Sequence, residues 1–459
     1  MTAMLYIDEN SQKPLYEQVY EYFVSGITCG EYRKGDKLPS TRSLARSLNL
    51  SVTTVTKAYD NLCMEGYAVS VPKSGYIVHN PPYKSERSAR KRLAPQAETK
   101  IFNFDFSDFD SGSFPLSVWR RLSNKALLSA DIEKIDYYGD KQGEYEFREE
   151  IAKHLRFSRG LSCNPEQIII SNSTSAILDT VATLMSDNRT SIAFEDPGFE
   201  LNRRAFINNR FRVIPIPVEA DGIDTEAVKK SAAGLVFTTP SHQMPMGAVL
   251  SYEKRVELTE WAEKNDSYII ENDYDYEFRY DIKPLPAMYS MNRSRVIYSG
   301  TFSKIVSPAL RISYFVLPEP LLERYREMYN NYHCAIPWIQ QKTITFYMQE
   351  GYMTRRMNSL QTINRKKRNT LICAVREILG DRVKISGESA GTHILLSVKQ
   401  PGGALVQQAI ENNVKVYSLL PHWYDKIRHD PSQVIVGFNS IREKDIEEGV
   451  RRLEKAWFE

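Results

Sequence analysis

Lys304 closes the run Tyr298-Ser299-Gly300-Thr301-Phe302-Ser303-Lys304, and Arg311 follows seven residues later. Val296-Ile297-Tyr298 reads as a strand, so Lys304 falls just past a strand end among hydroxyls. An amine in such a place becomes nucleophilic when burial and neighbouring cations depress its pKa. An arginine beside it offers a planar fork that clamps a phosphate, and Thr301 and Ser303 add hydroxyls. This pairing suits a pyridoxal 5′-phosphate (PLP) site, with Lys304 forming the Schiff base.

Two more segments fit the same chemistry. Ser171-Asn172-Ser173-Thr174-Ser175-Ala176 follows the apolar run Ile168–Ile170 and opens a helix, where hydroxyls and free backbone N–H groups make an anion site. Alone it reads equally well as an ordinary N-cap. Glu271-Asn272-Asp273-Tyr274-Asp275-Tyr276 follows Tyr268-Ile269-Ile270. A carboxylate there could sit under a protonated ring nitrogen, and a tyrosine could donate to a phenolate oxygen. The cofactor reading rests on the three segments together.

The elements that must position these residues are strands alternating with amphipathic stretches. Strand-like runs occur at Gln167–Ile170, Ser191–Phe194, Leu235–Phe237, Tyr268–Ile270, Val296–Tyr298 and Ser313–Val316. The alternation predicts an α/β body with a mainly parallel central sheet, whose ligand chemistry collects beyond the carboxyl ends of the strands.

Ahead of this body lies a short region of different pattern. Leu15, Val19 and Phe23 recur every four residues behind Pro14 and predict a helix with one apolar stripe. Ser40 caps a second helix running to about Leu48, and Asn49-Leu50 forms a turn. Ser51 caps a third helix, with Val55, Tyr59 and Leu62 on its buried side and Thr53, Thr54 and Lys57 on the other. Tyr67–Val71 and Tyr76–Val78 read as two strands joined by Pro72-Lys73-Ser74-Gly75. Three helices and a wing are a DNA-reading arrangement. Charge adds nothing to this, since residues 1–79 hold eight basic and eight acidic side chains.

The two regions are joined by Asn80–Lys100, opened by paired prolines and carrying six Lys/Arg against two Glu. It reads as a solvated basic linker. The expected organisation is therefore a head at 1–79, a linker at 80–101 and a body at 102–459. A chain of 459 residues with 42% apolar and 25% charged residues fits a globular protein of two to four domains. Sixty basic residues against fifty-seven acidic ones, net +3, put any nucleic-acid contact down to local placement of charge. No apolar run approaches a membrane span, and the N-terminus lacks a signal pattern, so the cytoplasm is expected. Five scattered cysteines without a Cys-x-x-Cys, and histidines without metal-ligand spacing, predict reduced thiols and no metal site.

The stretch from Leu38 to Tyr67, with its Ser74-Gly75 turn, resembles the DNA-binding domain of GntR-type bacterial regulators. The resemblance implies DNA contacts from Arg42, Thr53, Thr54, Lys73, Ser74 and Gly75, and Ser40 and Lys57 are counted with them. Such regulators usually carry arginine after the serine that starts the recognition helix. Here Val52 stands there, able to touch a thymine methyl but not to bond a guanine edge.

The body resembles fold-type I aminotransferases: Tyr137-Tyr138-Gly139 through Gly143, then Arg148, Arg159-Gly160 and the loop Thr239–Gly247, lie in that order. Head and body together resemble the MocR subfamily of GntR regulators, over about residues 11–450. The resemblance implies PLP on Lys304, with its phosphate held by Arg311, Thr301, Ser303, Ser173 and Thr174. Phe199 and His242 would lie near the ring. Tyr274 would reach the ring oxygen, and Tyr276 rivals it. Asp273 is the expected partner of the pyridine nitrogen, with Asn272 at the alternative place. The positions that grip a carboxylate in the GABA-responsive member fall at Leu201 and near Gln433, so GABA is not the expected effector. Arg203 and Arg204 could substitute, though arginines on a helix near a turn are more often solvated, and His422 and Trp423 read as core packing, with pocket lining the alternative.

The function expected is a PLP-dependent, DNA-binding transcription regulator that senses an amine, an amino acid or PLP itself. A homodimer on a two-part double-stranded operator is expected. The alternative is an aminotransferase with an accessory DNA-binding head, and transaminase half-reactions fit either reading.

Overall fold

A computed structural model describes residues 13–72, 74–79, 100–107, 109, 113–130, 136, 138–187, 189–281, 283–399 and 404–459. Most of the linker and Lys73 lie outside the described residues. The chain divides into two compact units, Met1–Glu98 and Thr99–Glu459.

The head has helices α1 (Leu15–Cys29), α2 (Thr41–Leu48) and α3 (Val52–Met64), then strands β1 (Ala68–Val71) and β2 (Gly75–Val78). The caps form as the sequence predicts. Ser40 Oγ accepts from the Ser43 N–H at 3.2 Å, and Ser51 Oγ accepts from the Thr54 N–H at 3.0 Å. Asn49 ends α2 in the left-handed region at φ 54, which its short polar side chain tolerates, and so makes the tight turn into α3. Val19, Phe23, Val55, Tyr59 and Leu62 form the core, while Leu15 stays at the surface. The β1–β2 hairpin turns at Gly75, φ +98, and Lys37 bridges to Ile77 on its outer side.

The body is built on an eight-stranded sheet. Its strands are β4 (Ile168–Ser171), β5 (Ser191–Asp196), β6 (Arg212–Glu219), β7 (Gly222–Ile223), β8 (Leu235–Thr238), β9 (Tyr268–Asn272), β10 (Val296–Thr301) and β11 (Ser313–Val316); the two-residue β3 (Phe102–Asn103) lies outside it. The spatial order is β4-β11-β10-β9-β8-β5-β6-β7. Only β11 and β7 run against the rest. Both faces are covered, which is why these strands read as continuous apolar runs. Ile170, Ala193, Val236 and Ile269 pack to one side, and Ile169, Ile192, Phe237 and Ile270 to the other.

All six strand-like runs of the sequence are strands. β6 carries no such signal because Pro215 and Pro217 interrupt it. They lie two residues apart, so both missing N–H groups fall on one side of the strand. On the flank away from β5, β6 is paired only at Val218 and Glu219, by β7.

A four-stranded sheet, β12 (Val383–Ser386), β13 (His393–Val398), β16 (Gln433–Gly437) and β15 (Tyr417–Ser418), forms a second layer with its own core. No helix among the described residues is long and apolar enough to cross a membrane.

Removing the α3 cap tests the architecture of the head. In urea titrations of the full chain, Ser51→Ala should cost the head transition about 1 kcal/mol. The exposed Arg46→Ala should stay within about 0.5 kcal/mol of wild type.

Candidate functional site

The carboxyl ends of β4, β8, β9 and β10 open onto one cavity of about 300 Å3. Lys304, Thr301, Ser303, Arg311, Ser173, Thr174, Phe199, Asn272 and Tyr274 all line it, brought together from four stretches of chain, 173–174, 199, 272–274 and 301–311. Asp273, Tyr276 and His242 do not.

Lys304 follows β10, and its Nζ donates to the Phe106 carbonyl at 2.8 Å. Arg311 lies in the left-handed region at φ 54, a conformation rarely adopted by a long side chain and often stored at functional sites. Its guanidinium makes no ion pair or hydrogen bond among the described residues. Ser173 caps the helix Thr174–Met185, its Oγ accepting from the Ala176 N–H at 3.1 Å. The first turn of that helix therefore presents N–H groups and hydroxyls to the cavity. Thr301 is spent partly inside the loop, accepting from the Ser303 N–H at 3.1 Å. An unpaired arginine, a helix N-terminus and two serines facing one space are suited to a phosphate, and the lysine beside them to an aldehyde.

The strand end after β9 splits by parity. Successive side chains of a strand point to opposite faces. Asn272 and Tyr274 face the cavity, whereas Glu271 and Asp273 face the interior. Asp273, expected at the ring nitrogen, lies off the cavity wall beside Arg159. Its Oδ2 accepts from Arg159 Nε at 2.6 Å and from the Tyr298 hydroxyl at 3.0 Å. Arg159 also donates to the Leu285 carbonyl. Burial alone would lower the Arg159 guanidinium, and Asp273 with Tyr298 and Glu271 more than reverses this, holding it above its ordinary value. Asn272 occupies the wall instead, with Oδ1 accepting from Ser299 Oγ at 3.2 Å.

Tyr276 likewise lies off the cavity wall. After the strand end the chain turns, and its hydroxyl meets Ser158 Oγ at 2.8 Å and His154 Nε2 at 3.0 Å in a separate cavity. His242 stands behind Tyr274. Its Nδ1 lies 2.8 Å from Asp275 Oδ2, and the Tyr274 hydroxyl donates to its carbonyl at 3.2 Å. Gly391 allows this packing: at φ +75, any Cβ there would lie 1.9 Å from the His242 ring. Burial, then Asp275, pushes the Tyr274 phenol well above its usual range, so it stays a proton donor.

Around the mouth, Phe199 stacks on His422 with centroids 5.9 Å apart. Arg203 is buried and donates to the His422 and Trp423 carbonyls, and Arg204 pairs with Glu200. Neither enters the cavity wall. Phe106, Ser107, Thr392 and His393 do line it, and sequence reasoning missed them. They come from the first segment of the body and from β13 with the residue before it, hundreds of residues from Lys304 or on another sheet, with no local motif to mark them.

In the head, Arg42, Thr53 and Ser40 are exposed, as is Val52. Thr53 and Thr54 hydroxyls each lie 2.7 Å from Ser51 Oγ. Lys57 lies over the Tyr16 ring, 3.9 Å from its centroid. Ser74 donates its N–H to the Val71 carbonyl in the wing turn beside Gly75.

Fold and site together define a DNA-reading head carried with an aminotransferase-like body. Residues 99–419 match the family "Aminotransferase class I and II", and residues 15–78 match "Bacterial regulatory proteins, gntR family". The HTH-type transcriptional regulator YdeL of Bacillus subtilis, itself described as uncharacterized, is 37% identical, with 97% of each chain covered. The probable rhizopine catabolism regulatory protein MocR of Rhizobium meliloti is 30% identical over 99% of this chain and 96% of its own. Among solved structures, a Pyrococcus horikoshii kynurenine aminotransferase superposes with TM-score 0.70 at 22% identity, covering 78% of this chain and 91% of that one. The chain therefore belongs to the GntR-type transcription regulators with an aminotransferase-like domain, the MocR type.

Two outcomes test the site's construction. Asp273→Ala strands a buried arginine and should cost about 3–5 kcal/mol in denaturant unfolding; unchanged stability with lost ligand uptake would return Asp273 to the cavity. Burial also pushes His422 down to about 4. Unfolded, that ring protonates near its ordinary 6.5, so between these values the unfolded chain binds more protons and stability falls with acid. The urea midpoint should drop from pH 7 to pH 5, each such histidine contributing up to about 1.4 kcal/mol per pH unit.

Proposed function

We propose that the cavity holds PLP and that its occupancy sets the affinity of the head for an operator. The observation that carries this is Lys304 sharing one cavity with an unpaired Arg311 and the N-terminus of the helix Thr174–Met185. When bound, the cofactor supplies an aldehyde that captures amines. Lys304 provides the resident amine. Arg311, Ser303, Thr301, Ser173 and Thr174 hold the phosphate. Tyr274, kept protonated, donates to the ring oxygen, and Phe199 with its His422 stack shields the mouth. The Pyrococcus aminotransferase, whose structure is a complex with PMP, supports the choice of cofactor.

The effector is an amine or amino acid, or PLP itself. It shifts the head only through different affinities for two arrangements of the protein. The domain boundaries follow as 1–79, 80–101 and 102–459, supported by the family matches ending at 78 and beginning at 99. Arg42, Thr53 and Thr54, with Ser40, Lys57 and the wing residues Lys73, Ser74 and Gly75, make the DNA contacts, supported by the exposure of Arg42 and Thr53. The working form is a homodimer. Arg311 is exposed in the single chain, and a facing copy would exclude water from it.

Purified wild type should show an absorbance band at the edge of the visible, lost in Lys304→Ala. Gel shifts on DNA upstream of the chain's own gene should change when PLP is removed. Arg42→Ala should weaken that binding and reduce its salt slope by about 1 if the side chain meets a phosphate. Robust turnover of common amino donors without any operator binding would favour the aminotransferase reading instead.

A further inference from the structure

We infer that the site holds the cofactor ring with its pyridine nitrogen unprotonated, and that Asn272 is the residue that sets this state. The inference rests on the cofactor reading above.

Among the described residues lining the cavity there is no carboxylate. None of the acids on or just after the strands that build it is in the wall, and each has a partner elsewhere; Asp196 accepts from the Tyr424 N–H at 2.7 Å. Asp273 accepts from Arg159 and Tyr298, and Asp275 from His242. Glu271 accepts from the N–H groups of Met288 and Tyr289. Glu195 accepts from the Thr238 and Thr239 hydroxyls, the Thr239 N–H and Gln243. Asp273 cannot swing round to the wall without taking from Arg159, itself only 7% exposed, its 2.6 Å partner and leaving that buried charge to Glu271 at 3.9 Å.

Asn272 holds the wall position that strand parity assigns, and an amide carries no charge. The charged groups that do line the cavity, Lys304 and Arg311, are cations. Cations disfavour a second positive charge nearby, and no described residue of the lining adds an anion to the wall. Among the described residues, a ring placed in this cavity therefore meets amide, hydroxyl, imidazole and cation but no acid. A neutral pyridine draws electrons less strongly than a pyridinium, so a captured amine loses its Cα hydrogen more slowly. The site then favours reporting an amine over consuming it.

The test uses the full chain loaded with PLP carrying 15N in the ring, read by 15N NMR. Wild type should resonate at the neutral-pyridine position, and Asn272→Asp should move toward the pyridinium position. In deuterated water, amino acids added to Asn272→Asp should exchange their α-hydrogen at least tenfold faster than with wild type. A wild-type resonance at the pyridinium position overturns the inference, and it does so even if the variant fails to fold. Equal exchange in a folded, loaded variant overturns it too. Label that passes an ultrafiltration membrane free of protein overturns the cofactor reading itself, a separate outcome.

Discussion

The buried pair between Asp273 and Arg159 decides which side of the β9 strand end looks into the cavity. A charge this deep is stable only with its partner, and removing either leaves several kcal/mol uncompensated. With Asp273 tied to Arg159 and Glu271 to the backbone of the helix Met288–Met291, the two-residue period leaves Asn272 and Tyr274 for the wall. The same arginine reaches the Leu285 carbonyl, so the end of the helix Tyr145–Arg159, strand β9 and the loop before Met288 are locked together. The other walls then need only present donors: a helix N-terminus, hydroxyls, and an arginine in a left-handed turn.

This arrangement makes the cavity positive and acid-free among the described residues. Such a field suits capture of an anionic group such as a phosphate or a carboxylate. On the reading proposed above, the difference between sensing and turnover lies in one residue of the wall, Asn272, and not in the fold, which is common to the aminotransferases.

Much of this was legible in the sequence, for physical reasons that differ by region. The head is local: caps at Ser40 and Ser51, a turn at Asn49 and a 3.6-residue stripe specify it, and all form. The parallel strands announce themselves because burial on both faces makes them uniformly apolar; β6 does not, because its two prolines mimic a loop. Lys304, Arg311 and Ser173 were found because strand-end position carries chemistry. Asp273 draws attention by its carboxylate chemistry, whereas strand parity turns it from the wall. If Tyr274 faces the cavity, Asn272 must as well and Asp273 must not. Tyr276 obeys that parity but lies beyond the strand, where the chain turns. Phe106, Thr392 and His393 carried no signal, since only the packing of distant segments brings them to the wall.

The most direct measurement is chemical. Borohydride reduction of the purified chain, followed by peptide mapping, should fix the pyridoxyl group on the peptide containing Lys304 and on no other. A chain that takes up no label, or one labelled at scattered surface lysines with Lys304 untouched, would contradict the account of the cavity.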